Sequence, residues 1–322
     1  MMRRTTVLLT MLFLLVSGVL MAAGQPEAVA AEYPTRPIRV IVATAAGGGT
    51  DLLGRMMAAE VESILGTPLV VENREGGSMT IGTTFAAQVA PDGYTILFSP
   101  SGPIVTQPHI LDNLQYSLDD FRGIMGVISV PVVFAVQAGS PLRTIDDLIS
   151  GSGPLTTGHA GPGTLMHLAQ EDFFGKLNNP RLDVQQVPHQ GGARTVAALL
   201  GGHVDLVTAL PSEVLPYVDD GQLRVLATTA ASRSSKLADV PTLNEKGFNV
   251  VMELRFFVLA PKNTPDHIVQ VLENAFTQAA RSERIRNYAD ETRQEIDIKN
   301  GMEIMEALRT DFQYFGSLMA DL

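Results

Sequence analysis

Residues Ile38-Arg39-Val40-Ile41-Val42-Ala43-Thr44-Ala45-Ala46-Gly47-Gly48-Gly49-Thr50-Asp51-Leu52-Leu53 hold three signals in succession. A run rich in β-branched residues reads as a strand. A triple glycine turns it, and Leu53, Met56, Met57, Val61, Ile64 and Leu65 then recur at helical spacing up to Gly66, which closes the helix. A helix N-terminus beside glycines presents free N–H groups and the positive end of the helix dipole. The turn therefore reads either as a cradle for a carboxylate or phosphate, or as a tight strand-to-helix turn with no ligand. It is not a P-loop, because Gly49 is followed by Thr50-Asp51-Leu52 and lacks the Lys and Ser/Thr that this motif requires.

The same pattern recurs. Thr156-Thr157 lead into Gly158-His159-Ala160-Gly161-Pro162-Gly163-Thr164 and a helix to about Leu177, and Val184–Val187 lead into His189-Gln190-Gly191-Gly192 and a helix to Leu200. Strand and helix signals alternate elsewhere too, with strands expected at 69–73, 95–98, 129–136 and 204–209. The expectation is an α/β fold of two domains, each a mainly parallel sheet flanked by helices, with a ligand cleft between them. Residues 32–131 with 256–322 form domain 1, 132–255 form domain 2, and hinge strands lie near 130–136 and 255–260. Helix N-termini facing each other across such a cleft would hold an anion by backbone amides and hydroxyls.

At 322 residues the chain is long enough for two domains. Residues 1–31 have the layout of a signal peptide, with Arg3 and Arg4, an apolar run from Val7 to Met21, and small residues ending in Ala30-Ala31. Export to the periplasm is expected. With no cysteine there is neither a disulfide, a thiolate metal site nor a lipid anchor on cysteine, and a net charge of −11 argues against a nucleic-acid partner.

Four further segments, Tyr33-Pro34-Thr35-Arg36-Pro37, Gly47-Gly48 with Thr50-Asp51, Val71-Glu72-Asn73-Arg74 and Ala90-Pro91-Asp92-Gly93-Tyr94, occur in order, followed by Leu199-Leu200-Gly201-Gly202 and Val240-Pro241-Thr242. Over residues 33 to about 290 the chain resembles the receptors of tripartite tricarboxylate transporters, the TctC or Bug family. The resemblance implies a periplasmic receptor that closes on a mono-, di- or tricarboxylate and delivers it to the membrane permease subunits of such a transporter. It also implies a monomer with no cofactor, no metal and no catalysis.

Carried over by position, the contacts from the first domain are the turn of Thr44, Ala45, Ala46, Gly47, Gly48, Gly49, Thr50 and Asp51, then Ser78 and Thr80, and the loop serines Ser99 and Ser101. The second domain contributes His159, Ala160, Gly161, Gly163, Thr164 and His167, then Gly191, Gly192 and Ala193, and finally Asp205. The chain departs from the family where the ligand belongs: Ala43 to Asp51 stands where Pro-Phe-Ala-Pro-Gly-Gly-Ser-Thr-Asp is usual, and Arg255 where a tryptophan is frequent.

Two other readings compete. Asp51 at a first helical turn is more simply a cap or a dipole partner than a catalytic carboxylate. Arg255 could pair with a second ligand carboxylate. The fold could also serve as a sensor input to a signalling membrane protein, or as an exported hydrolase, although no Gly-x-Ser-x-Gly elbow surrounds the loop serines and the six histidines show no metal spacing.

Overall fold

The computed structural model describes residues 33–320, and the expected signal segment 1–31 lies outside them. No helix among the described residues is long and apolar enough to cross a membrane. The opening motif forms strand β1 (Ile38–Val42) and helix α1 (Gly49–Leu65), joined through Gly47 at φ +83° and ended by Gly66 at φ +65°. Both turns need the left-handed region that glycine enters without steric cost. The helix buries Leu53, Met57 and Val61, and Gly54 lets it lie close on the sheet, since a Cβ there would sit 3.2 Å from Phe98 and Val42.

β2 (Leu69–Asn73) and β3 (Thr95–Pro100) pair in parallel on either side of β1, with α2 (Thr80–Gln88) between them in sequence. After the short α3 (Gly102–Val105), β4 (Phe121–Pro131) and later β10 (Glu253–Pro261) and β11 (Glu295–Asn300) complete a six-stranded sheet of order β11-β4-β10-β3-β1-β2. The second sheet has order β7-β6-β8-β5-β9. It comprises β5 (Val133–Gln137), β6 (Gly153–His159), β7 (Leu182–Pro188), β8 (Leu206–Ala209) and β9 (Leu223–Thr228). Helices α4 (Ile145–Ile149), α5 (Leu165–Leu177), α6 (Gly192–Leu200) and α7 (Pro211–Asp219) belong to this half.

The two-sheet α/β architecture matches the expectation, but each sheet is mixed. β10 runs antiparallel to β3 and β4, and β5 antiparallel to β8 and β9. The cause is the path of the chain. The apolar run 129–136, legible as one strand, is split between the sheets: Pro131 has no N–H to extend the ladder, so β4 ends there and β5 begins at Val133. The chain returns between Thr228 and Glu253, so the two passages run in opposite directions. Thr229 ties them: its Oγ1 accepts from Val132 N–H at 2.9 Å and donates to the Met252 carbonyl, and its own N–H donates to the Val132 carbonyl.

Alternate residues of β5 serve different cores. Phe134 and Val136 join a cluster that also holds Ile41, Leu97 and Phe257 of the first sheet, while Val133 and Ala135 pack with Val196, Leu199 and Val214 on the outer face. The last helices, α8 (Asp266–Ala280), α9 (Glu283–Glu291) and α10 (Gly301–Ala320), follow on the first lobe. α10 reaches across: Tyr314 donates to buried Asp172 of α5, which also accepts from Lys176 at 2.9 Å.

Replacing Thr229 by valine keeps the shape but leaves a main-chain donor and acceptor buried without partners, so Thr229→Val should cost about 1–3 kcal/mol in urea unfolding, with Thr229→Ser near wild type. An unchanged midpoint in the valine variant would remove Thr229 from this role.

Candidate functional site

β4 and β10 stand side by side where the chain passes between the sheets, so the space between the lobes divides into two flanks, one on the β3 side and one on the β11 side. On the β3 side lies a cleft of about 410 Å³. The first lobe lines it with Ser78 and Met79 from the turn before α2 and with Ser101, Gly102 and Val105 from the segment after β3. The second lobe contributes Gly163, Thr164 and Met166 after β6 and Leu210 after β8, and Leu254 of β10 forms the back. The cleft thus sits at the C-terminal ends of β3, β6 and β8, where open α/β sheets place ligands.

Backbone strain is concentrated in one wall. Ser78 (φ +54°) and Met79 (φ +76°) are consecutive non-glycine residues in the left-handed region, following Gly76 and Gly77 at positive φ. Such residues cost on the order of 1–3 kcal/mol each. The result is that the Met79 side chain lies across Gly102, where a Cβ would meet Met79 Cε at 3.2 Å. Ser101 stands at the N-cap position of α3 without a side-chain bond to that helix, is buried, and its Oγ accepts from Arg255 N–H at 3.3 Å. Opposite, Thr164 caps α5: its Oγ1 accepts from His167 N–H at 3.3 Å and donates to the Gly161 carbonyl at 2.7 Å. Ile110 reaches across from the first lobe, and a Cβ at Gly163 would meet it at 2.9 Å.

Of the residues expected from the sequence, Ser78, Ser101, Gly163 and Thr164 line this cleft. The three glycine-rich turns themselves are stitched to the protein's own acceptors. At the first, Asp51 Oδ2 accepts from Gly47 N–H at 2.8 Å and from Arg55 at 2.9 Å, while Oδ1 accepts from Asn73 at 2.8 Å. Burial pushes this carboxyl up, but Arg55, Gly47 and Asn73 together outweigh it and hold it below the ordinary aspartate range. Thr44 joins the same knot through its carbonyl, which accepts from Asn73, and Ala45, Ala46, Gly48, Gly49 and Thr50 complete the turn. Asp51 is therefore a tie between the first turn of α1 and the glycine turn, while the N-cap position itself is Gly48.

At the second turn two imidazoles act as acceptors. His159 Nδ1 receives Gly161 N–H at 3.3 Å and His167 Nδ1 receives Gly163 N–H at 3.2 Å, and the two rings lie 4.5 Å apart. His167 Nε2 faces Glu171 at 3.3 Å. Both rings must be neutral at Nδ1 to accept these bonds. Ala160 accepts from Gly191 N–H, which joins the second turn to the third. There the Glu213 carboxylate, bonded to Leu210 N–H at 2.9 Å, rests against Gly192, so a Cβ at 192 would fall 1.9 Å from Glu213 Oε1. Burial pushes Glu213 above the ordinary glutamate range. Ala193, one residue on, is exposed.

Three more expected residues have local partners. Thr80 donates to the Gly77 carbonyl and Ser99, fully buried, to the Pro100 carbonyl. Asp205 lies at the start of β8, the end opposite Leu210 and the cleft, and accepts from Thr156 N–H at 2.8 Å. Sequence reasoning missed the apolar wall of Met79, Met166, Leu210 and Leu254, whose spacing matches ordinary core, and it missed Glu213. Leu210-Pro211-Ser212-Glu213 does carry a helix-start signature, with proline at the first helical position and glutamate at the third.

The β11 flank holds a second cavity of about 420 Å³ lined by Arg255, Arg293, Lys299, Glu253 and Asp297. Its cations are already paired within the protein. Arg255 bonds Asp311 at 2.7 Å and Glu253 at 2.9 Å, Arg293 bonds Asp219 at 2.6 Å, and Lys299 pairs with Asp297. Arg255 thus faces away from the β3-side cleft and meets the protein's own carboxylates.

Residues 53–319 match the family described as tripartite tricarboxylate transporter family receptor, TctC. The chain belongs to this receptor family. Protein BugT of Bordetella pertussis is 33% identical to the receptor over 281 residues, 84% of this chain and 85% of that one. Among solved structures, a TctC solute binding protein from Polaromonas superposes with TM-score 0.82 at 28% identity, covering 90% of this chain and all of its own. R. palustris Rpa4515 with adipate superposes with TM-score 0.73 at 27% identity, covering 89% of this chain and 97% of its own.

Burial, then the neighbouring His167, pull the His159 pKa down from 6.5 to about 4, so its folded value lies below its unfolded one. Between pH 6.5 and 4 the unfolded chain binds a proton at residue 159 that the fold refuses; stability should therefore fall on acidification across that window, by up to roughly 3 kcal/mol, and level off below it. His159→Asn keeps an acceptor and does not titrate. Urea unfolding across this window should show a shallower loss in that variant; equal slopes would exclude His159 as the source.

Proposed function

We propose that this receptor captures a small organic carboxylate in the β3-side cleft, outside the cytoplasm, and delivers it to the membrane permease subunits of a tripartite tricarboxylate transporter. The observation that carries the reading is the cleft itself. It lies between two lobes, it is lined by the hydroxyls of Ser78 and Ser101 beside glycine backbone, with those of Thr106 and Thr164 bonded to the Gly102 and Gly161 carbonyls, and no ionisable side chain is among its lining residues. Hydroxyls and amides can hold a carboxylate without a full counter-charge when water is excluded. Family membership and the structural neighbour Rpa4515 with adipate support the same ligand chemistry.

In this reading Ser78, Ser101, Gly163 and Thr164 touch the ligand. The 44–51 turn, Thr80, Ser99, the 159–161 segment with His167, and 191–193 are the frame that fixes those contacts. The lobes, residues 34–131 with 253–320 and residues 132–252, would close about the passages at Val132 and Thr229. The protein would work as a periplasmic monomer, releasing its ligand unchanged.

A panel of mono-, di- and tricarboxylates, amino acids and sugars, screened by thermal shift on the chain from residue 32, tests this. A carboxylate subset should raise the melting temperature. Ser101→Ala should weaken that binding about tenfold or more, as loss of a hydrogen bond to a charged group does, and should also lower the unliganded melting temperature, since Arg255 N–H loses its acceptor. Shifts with sugars or cations alone, or recovery of a chemically altered compound, would refute capture of a carboxylate.

A further inference from the structure

We infer that the cleft selects a carboxylate with a single charge and an apolar body, and discriminates against di- and tricarboxylates. The inference rests on the carboxylate reading above and narrows it. Its basis is what faces the ligand space beyond the hydroxyls. Met79, Val105, Leu165, Met166, Leu210 and Leu254 supply most of the remaining surface, from both lobes and from the strand at the back, with Pro162 and the amide side chain of Gln107 completing it. Met79, the second of two consecutive left-handed residues and the residue at the N-cap position of α2, puts its terminal methyl group over the Gly102 backbone. Thioether and leucine side chains adapt to an apolar ligand body and offer no hydrogen bonds to a polar one.

The charges nearest the cleft are withheld from it. Leu254 faces the cleft, whereas its neighbours Glu253 and Arg255 line the β11-side cavity, as the two-residue period of a strand requires. Arg255, the one cation of this strand, is bound to Asp311, Glu253 and Ser129. His159 and His167 accept from loop amides and are not among the residues that line the cleft. One carboxylate can be met by the hydroxyl and amide cluster. A second, carried into a space walled mainly by Met and Leu, with Gln107 its one polar side chain beyond the hydroxyls and no ionisable group in its lining, would lose its hydration without a counter-charge.

Calorimetric titration of the wild-type chain with straight-chain monocarboxylates of increasing length, with adipate and citrate, and with alcohols matching the monocarboxylates tests this. Affinity should rise about fourfold per added methylene until the cleft is filled. Adipate and citrate should bind at least about tenfold more weakly than the monocarboxylate of six carbons, the cost of one uncompensated charge. Adipate binding as tightly as that monocarboxylate would overturn the single-charge inference while leaving carboxylate capture intact. Alcohols binding as tightly as the acids would overturn carboxylate recognition, and this inference with it.

Discussion

Two strand passages made side by side and in opposite directions organise this molecule. Pro131 ends the ladder of β4, Thr229 clamps Val132 to Met252, and the two sheets are thereby held edge to edge with a narrow waist between them. The waist separates two environments. On one flank the C-terminal ends of β3, β6 and β8 enclose a space walled by hydroxyls, glycine backbone and apolar side chains. On the other, paired charges fill the gap, and Arg293 to Asp219 and Ser234 to Glu295 link the lobes directly. Charge is thus concentrated where no ligand is needed and excluded where one is proposed.

The second constraint is that a main-chain donor buried at a tight turn must find an acceptor. Glycine-rich turns expose such donors, which is why they suggest anion sites. Here Asp51, His159 and His167 supply acceptors to the first two turns, and the Glu213 carboxylate occupies the space over Gly192 at the third. The turns become rigid supports, and the residues that follow them, Gly163 and Thr164 above all, project into the cleft.

Much of this architecture was legible in the sequence, because its signals are local. The strand, glycine turn and helix of 38–66 needed only β-branched composition, helical spacing and a terminal glycine, and a structural role for Asp51 needed only its place in the first turn. What was not legible depends on contacts between distant segments. The mixed character of the sheets follows from pairings such as Phe256 with Pro100 and Glu253 with Pro131. Met166 and Leu254 read as ordinary core, and only the fold shows that they border a cleft. Arg255 gave no sign that Asp311, 56 residues away, would neutralise it.

The central claim is that the ligand lies on the β3 flank, and a crystal structure with a bound carboxylate tests it most directly. The account predicts carboxylate oxygens within hydrogen-bond reach of Ser78 and Ser101, with the body of the ligand against Met79, Met166 and Leu254. A carboxylate seated in the 45–51 turn in place of Asp51, or on the β11 flank beside Arg255, would contradict it.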